Sequence, residues 1–402
     1  MEARAVAPSR SVMIAGAGIG GLTAALALAQ HGFSVAIFDQ AQKLEEIGAG
    51  VQLSPNASRI LIGLGLEKQL QRHVVAPEEL RVLDAPTARV LVRAPLGAAA
   101  EQRYGAPYWV IHRGDLQAVL IEAVRAQPGI AFHLGTRVED FASDANGITI
   151  STRSAQHDFE HGGVALIAAD GLWSTLRGSL GHRREPRFAR HSAWRAVAPA
   201  EALTPDLRVP AVNLWLGSRA HLVHYPVRGG KLINIVAIIR DEWREAGWSA
   251  SGERADILAR FASSVWSAPA RAIVAAPRDW QKWALFDAAP LAYWGKGAMT
   301  LLGDAAHPML PYLAQGAAMA IEDAVVLAQR LAEMRADPAG AMRRYEAERR
   351  SRTARAQRAA RRNGRVYQLG GPAGALRNIA LTAMGGKRLL ERYDWLYGWT
   401  PA

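Results

Sequence analysis

The sequence predicts an α/β protein. A Rossmann-type dinucleotide-binding domain is interleaved with a smaller sheet-containing domain and followed by C-terminal helices. Three observations lead there: a glycine-rich βαβ unit near the N-terminus, two later buried strands that each run into an acid beside a glycine (Asp170-Gly171 and Gly303-Asp304), and a middle stretch whose patterning changes to strand alternation.

The βαβ unit comes first. Val12 to Ala15 is a short apolar run of the kind that fills a fully buried parallel strand. Leu22 to Gln30, rich in Ala and Leu, reads as a helix, and Ser34 to Phe38 as a second strand. The turn between them, Gly16-Ala17-Gly18-Ile19-Gly20-Gly21, fits G-x-G-x-x-G at Gly16, Gly18 and Gly21. Glycine there allows a tight turn, close backbone approach to a pyrophosphate, and close helix–strand packing. The phosphate then meets the free N–H groups of a helix N-terminus. Asp39 comes 23 residues after Gly16, at the end of the second strand, where it can accept hydrogen bonds from a ribose hydroxyl.

Gly163 to Ala169 is a further buried strand running into Asp170-Gly171, with Arg177 shortly after. Met299 to Leu302 leads likewise into Gly303-Asp304. In an open α/β sheet, ligands gather at the carboxyl ends of such strands. Each acid taken singly also fits a helix N-cap. Residues 186–279 alternate apolar and polar positions between Gly and Pro turns, as in Leu222 to Val227 and Leu232 to Ile239. Ala317 to Met334 reads as a long helix, and the chain beyond it is helical and Arg-rich. The expected division is 8–75, 106–185 and 280–335 for the dinucleotide domain, 76–105 and 186–279 for the second, and 336–402 for the C-terminal segment.

Composition narrows the function. The chain has 402 residues, half of them hydrophobic, and no apolar run long enough to span a bilayer. The first ten residues, MEARAVAPSR, carry no apolar signal-peptide core, so a cytoplasmic location is expected. There are no cysteines, which excludes disulfides, thiolate metal sites and iron–sulfur clusters. No His or carboxylate cluster has metal-ligand spacing. The net charge is +12, and ten Arg fall between Arg343 and Arg365 against Glu346 and Glu348. No nucleic-acid motif accompanies this run, so it reads as a solvated helix and no nucleic-acid partner is expected.

The three motifs together resemble the single-component FAD-dependent aromatic hydroxylases typified by p-hydroxybenzoate hydroxylase. The runs GAGVQLSPNA (Gly48 to Ala57), YGAPYWVIHRGDLQ (Tyr104 to Gln117) and GDAAHPMLPYLAQGAAMAIEDA (Gly303 to Ala324) are similar to the branch containing salicylate hydroxylase, 3-hydroxybenzoate 6-hydroxylase and 6-hydroxynicotinate 3-monooxygenase. The likeness runs from about residue 10 to residue 365. It implies a non-covalent FAD, and the absence of cysteine separately excludes attachment through sulfur. Gly16, Gly18 and Gly21 would face its pyrophosphate, Asp39 the adenosine ribose, Arg113 the phosphate or ribityl region, and Asp304 the ribityl chain. Asp170 would serve a motif shared by FAD and NAD(P)H. Gln315, Gly316 and Ala317 open the long helix, whose N-terminus would point at the flavin edge that becomes negative on reduction.

The reaction so implied has two halves: NADH or NADPH reduces the flavin, and O2 then gives a C4a-hydroperoxide whose distal oxygen attacks an electron-rich ring. The protein supplies position, dryness and a base. Attack is faster on a phenolate, so a base is wanted at the substrate hydroxyl. In the strand His221-Leu222-Val223-His224-Tyr225, residues four apart share a face, so His221 and Tyr225 point one way and His224 the other. His221 with Tyr225 is the candidate catalytic pair; a polar edge strand is the other reading. His307 and Pro308 are candidates for the substrate pocket, against a purely structural turn. Arg195 is a candidate partner for a substrate carboxylate, against a structural ion pair. Where the 3-hydroxybenzoate enzymes carry Gln before the corresponding Tyr, this chain has Pro311 before Tyr312, as in salicylate-like members. The expected substrate is therefore a small hydroxybenzoate or hydroxynicotinate, hydroxylated with or without loss of CO2, by an enzyme that is compatible with a homodimer. Two alternatives stand beside it: a monooxygenase of the same fold acting on a bulkier aromatic, polyketide or quinone-type substrate, and an FAD-binding regulator without hydroxylase activity.

Overall fold

The computed structural model describes residues 11–401 except 45–48, 145–146, 156, 183–184 and 263–264. The reading of the first ten residues lies outside the described residues. The N-terminal unit forms as β1 (Val12–Ala15), α1 (Ile19–Gln30) and β2 (Val35–Asp39). β1 is wholly buried, and α1 has nine of its twelve residues buried. A helix that is apolar all round must be covered on both sides. Here α1 packs against both the helix Gly316–Glu333 and the helix Arg113–Arg125.

Two sheets dominate. The first has six strands in the spatial order Gly295–Lys296, Met299–Leu301, Ala165–Ala168, β1, β2, Ile130–Leu134, all parallel except the edge strand Gly295–Lys296. Because the strands are parallel, β1, Ala165–Ala168 and Met299–Leu301 all end at the same edge. That brings the glycine loop, Asp170-Gly171 and Gly303-Asp304 together.

The second sheet has eight strands, in the order Ser249–Gly252, Trp280–Asp287, Arg187–Pro199, Leu232–Arg240, Ala220–Val227, Ala211–Leu216, Glu79–Asp84, Val90–Pro95. The strand Trp280–Asp287 belongs to this sheet, whereas residue 280 was the expected start of a dinucleotide-domain segment. The pleat divides its two faces cleanly. On Leu232–Arg240, Ile233, Ile235, Ala237 and Ile239 join a core with the helices Arg254–Phe261 and Ala268–Ala275, while Val236 and Ile238 face a cavity toward the first sheet.

The C-terminal part is more than a solvated appendage. Helix Pro338–Tyr367 runs alongside Gly316–Glu333, and four of its arginines, Arg343, Arg349, Arg352 and Arg361, are buried or half-buried. Arg349 is 1% exposed and bonds Glu322 and Asp323, both at 2.7 Å. Arg352 also takes Glu322, at 2.6 Å, and Arg361 makes a two-pronged contact with Asp287. The expected solvated helix holds on the outer face, where Arg344, Arg350, Arg355, Arg358, Arg362 and Arg365 are exposed; it is corrected at Arg349 and Arg352, which pair with two acids buried on the facing helix.

Candidate active site

The glycine loop is built as its residue types require. Gly16 has φ +107°, and a Cβ on it would lie 2.3 Å from the carbonyl oxygen of Ala169. A Cβ on Gly21 would lie 2.0 Å from the carbonyl oxygen of Gly16. These two glycines serve the turn and the packing. Gly18 is different: a Cβ there would meet nothing within 4 Å, and the residue borders an open cavity. The loop thus leaves room at the N-terminus of α1, a cradle that fits the pyrophosphate of a dinucleotide. Asp39 accepts hydrogen bonds from the backbone N–H of Ala17 (2.7 Å) and of Ala41 (2.8 Å), so it also braces the loop.

The cavity, about 400 Å³, lies between the two sheets. On one side stand Gly18, Arg113, Gly303, Asp304 and the segment Gln315–Ala317. Asp304 is open to the cavity and enclosed by protein elsewhere. That enclosure raises its carboxyl above the usual range, against the pull of His307, Arg113 and Arg177. Asp170 sits just behind this wall. Its neighbours Ala169 and Gly171 line the cavity, and its Oδ2 accepts from the backbone N–H of Leu176, at the start of the short helix Thr175–Ser179. Gln315 is fixed from behind: its Nε2 donates to Ser54 Oγ (2.8 Å) and its Oε1 accepts from Asn56 Nδ2 (3.1 Å), which also reaches Glu322. Ala314, just before it, is held at φ +53°.

On the opposite side stand Arg195, His221, Val223, Tyr225, Val236 and Ile238 from the second sheet. Alternation along Ala220–Val227 turns His221 and Tyr225 toward the cavity and His224 away, where His224 Nδ1 accepts from Trp215 Nε1 and its Nε2 meets the carbonyl of Leu207. His221 is 1% exposed, and its ring lies against Tyr312 and Tyr367, with centroids 5.5 and 5.4 Å away. Burial, with His191 nearby, lowers the His221 imidazole to about 3, so the ring is neutral near pH 7. Burial raises the Tyr225 hydroxyl, which stays protonated. The Arg195 guanidinium lies 5.2 Å from the Trp283 ring centroid.

A family model described as an FAD binding domain matches residues 9–361. The chain is 37% identical over 388 residues to 3-hydroxybenzoate 6-hydroxylase of Polaromonas naphthalenivorans (strain CJ2), covering 96% of each chain. This chain belongs to the family of FAD-dependent aromatic hydroxylases. Another member, 3-amino-4-hydroxybenzoate 2-monooxygenase of Streptomyces platensis, is 37% identical and is covered over 96% of its length by 97% of this chain. Among solved structures, Klebsiella pneumoniae HpxO complexed with FAD and uric acid superposes with a TM-score of 0.83 at 26% identity, covering 95% of each chain.

Two candidates are displaced from the hydroxylase cavity. His307 is buried behind its wall, where Nε2 meets Asp323 Oδ2 at 2.5 Å and the ring packs on Trp294. Asp323 needs that partner because it is fully buried, and it also accepts from the N–H of Gly303. Pro308 faces a separate outer cleft. Conversely, Gln52, Tyr108, Asn363, Tyr367, Tyr393 and Tyr397 line the cavity although no sequence pattern points to them as site residues. Gln52 lies in the GAGVQLSPNA run, and Tyr108 donates to its Oε1 at 2.7 Å. Asn363, Tyr367, Tyr393 and Tyr397 come from C-terminal helices whose local pattern holds no sign of a site. Among the described residues, no helix is long and apolar enough to cross a membrane, and no group of three His, Asp or Glu could hold a metal ion.

Proposed function

We propose that the chain is an NAD(P)H-dependent monooxygenase that uses O2 to hydroxylate a single-ring aromatic acid bearing a hydroxyl, of the hydroxybenzoate or hydroxynicotinate type. The observation that carries this reading is the one cavity that sets His221, Tyr225 and Arg195 across from Gly18, Asp304 and Gln315–Ala317. The relatives' names, hydroxylases of 3-hydroxybenzoate and 3-amino-4-hydroxybenzoate, favour a small acid over a bulkier substrate.

FAD, when bound, supplies the redox and oxygen chemistry. The chain's residues bind, orient and move protons. The open cradle at Gly18 and the N-terminus of α1 receive the pyrophosphate, with Asp39 at the adenosine ribose. Arg113 and Asp304 hold the phosphate and ribityl portion, and Asp170 supports the loop beside them. The N-terminus of Gly316–Glu333 stabilises negative charge brought near Gln315, Gly316 and Ala317. Arg195 pairs with the substrate carboxylate. His221, neutral and within an apolar and aromatic wall, accepts a hydrogen bond from the substrate hydroxyl at its ring nitrogen and draws on its proton as the ring is attacked, and Tyr225 donates a hydrogen bond that fixes the ring. The buried wall that holds His221 and Tyr225 limits the access of water to the reacting atoms.

The test is oxidation of NADH and of NADPH by the yellow protein, with and without salicylate, 3-hydroxybenzoate and 6-hydroxynicotinate, followed by product identification. One acid should stimulate oxidation strongly and give a hydroxylated product, and the product mass tells addition of oxygen from replacement of CO2. His221→Asn should lower kcat by about 10²–10⁴-fold, within the usual worth of a general base. Indifference to all three acids would sink the small-acid reading and leave FAD binding standing.

A further inference from the structure

A second cleft, of about 1120 Å³, opens at the outer surface and is divided from the site cavity by one segment of chain. Pro308 and Leu310 line the cleft, Met309, Pro311 and Leu313 line the cavity, and Tyr312 lines both. The cleft has a positive rim. Arg187 and Arg365 are exposed on it, facing the exposed Glu185. Its other arginines are already committed: Arg361 is held by Asp287, and Arg177 bonds the carbonyls of Ala305 and Leu172. Tyr293, 43% exposed, stacks on His182 with centroids 4.2 Å apart, and His182 Nε2 meets the carbonyl of Tyr293 at 3.0 Å. That pairing makes a rigid aromatic platform open on one side.

The reductant in the proposed reaction needs such a place. In the sequence only one strand is followed by a G-x-G-x-x-G turn, and its cradle is taken by FAD in this reading. A pyridine dinucleotide carries a diphosphate, which suits a pair of guanidinium groups, and an adenine, which suits an aromatic face. Its other ring has to come close to the cavity, and Tyr312 is where cleft and cavity meet. We propose that this cleft docks the adenosine diphosphate half of NADH or NADPH, with Arg187 and Arg365 on the phosphates and Tyr293 under the adenine. The inference rests on the NAD(P)H-dependent reading above and assigns that co-substrate its residues.

The test uses the FAD-loaded protein and reads binding separately from turnover. Arg187→Glu and Arg365→Glu should each weaken NADH or NADPH binding by about tenfold or more, a factor equivalent to ~1.4 kcal/mol. FAD content and the Kd of the stimulating acid should stay as in the parent, so the effect falls on the dinucleotide KM and leaves kcat nearly unchanged. Photolabelling of the unaltered holoenzyme with 8-azidoadenine NAD+ needs no variant to fold. The labelled residues should fall at 181–182, 185–187, 287–293 or 361–368. Unchanged dinucleotide binding in both charge reversals, or labelling elsewhere, overturns the cleft assignment alone. A parent protein that binds and oxidises neither dinucleotide overturns this inference together with the reading it rests on.

Discussion

At the scale of single residues, the glycine loop separates two jobs that share one residue type. A methyl at Gly21 collides with the carbonyl of Gly16, whereas a methyl at Gly18 points into the open cradle. Gly21→Ala should therefore lower the stability of the flavin-free protein by about 1–3 kcal/mol, the cost of forcing bulk into a packed site. Gly18→Ala, whose backbone at φ −72° suits any residue, should leave that stability unchanged and weaken FAD binding by about tenfold. Thermal melts of the apoprotein and FAD titration read the two effects independently; equal loss of stability in both variants would refute the distinction. At this scale much of the site was legible. The spacing of Gly16, Gly18 and Gly21, the strand-end acids and the alternation at His221 and Tyr225 are local patterns, and local geometry follows from them. His307 and Pro308 were not legible in the same way. Sequence places them beside Asp304, but the turn sends one inward to the buried Asp323 and the other outward, and that choice depends on a helical residue 16 positions further on.

At the scale of elements, the long basic helix is anchored by charge rather than by an apolar stripe alone. Arg349 lies fully buried between Glu322 and Asp323, whose carboxylates also bind Arg352, Asn56, His307 and the N–H of Gly303. Arg349→Met should cost about 3–5 kcal/mol in unfolding free energy, because it takes from two buried acids the one cation they share. Adding Glu322→Gln and Asp323→Asn to that variant should recover part of the loss in a urea titration; no recovery would argue that packing, not charge, is what Arg349 supplies. The helix itself could be read from composition, but its inward-facing cations could not. Periodicity says that Arg343–Arg365 is helical and polar, and only the facing helix says which arginines have partners. The same limit hid the contribution of Tyr367, Tyr393 and Tyr397 to the cavity, since their neighbours are brought in by chain folding rather than by sequence proximity.

At the scale of the whole molecule, two buried neutral histidines tie the fold to pH. Burial lowers His221 to about 3 and His224 to about 4, while an unfolded histidine titrates near 6.5. Between those values the unfolded chain binds more protons than the folded one, so stability rises with pH across this window and falls as pH drops below about 6.5. Each histidine contributes a slope on the order of 1 kcal/mol per pH unit. Asp170 and Asp304, whose carboxyls are raised by enclosure, act in the opposite sense above the usual carboxylate range. Denaturant midpoints between pH 7 and pH 5 should fall, and His224→Gln should flatten the fall; an equal slope in the variant would assign the acid sensitivity elsewhere. The thin wall from Pro308 to Leu313 has a consequence of another kind. Its odd positions border the proposed chamber for the acid, Pro308 and Leu310 border the proposed berth for the electron donor, and Tyr312 touches both. Selection can therefore retune the choice of acid and the choice of donor by changing alternate letters of one short word. Insertion or deletion of a single letter would scramble both at once, so the length of that word is constrained more tightly than its spelling.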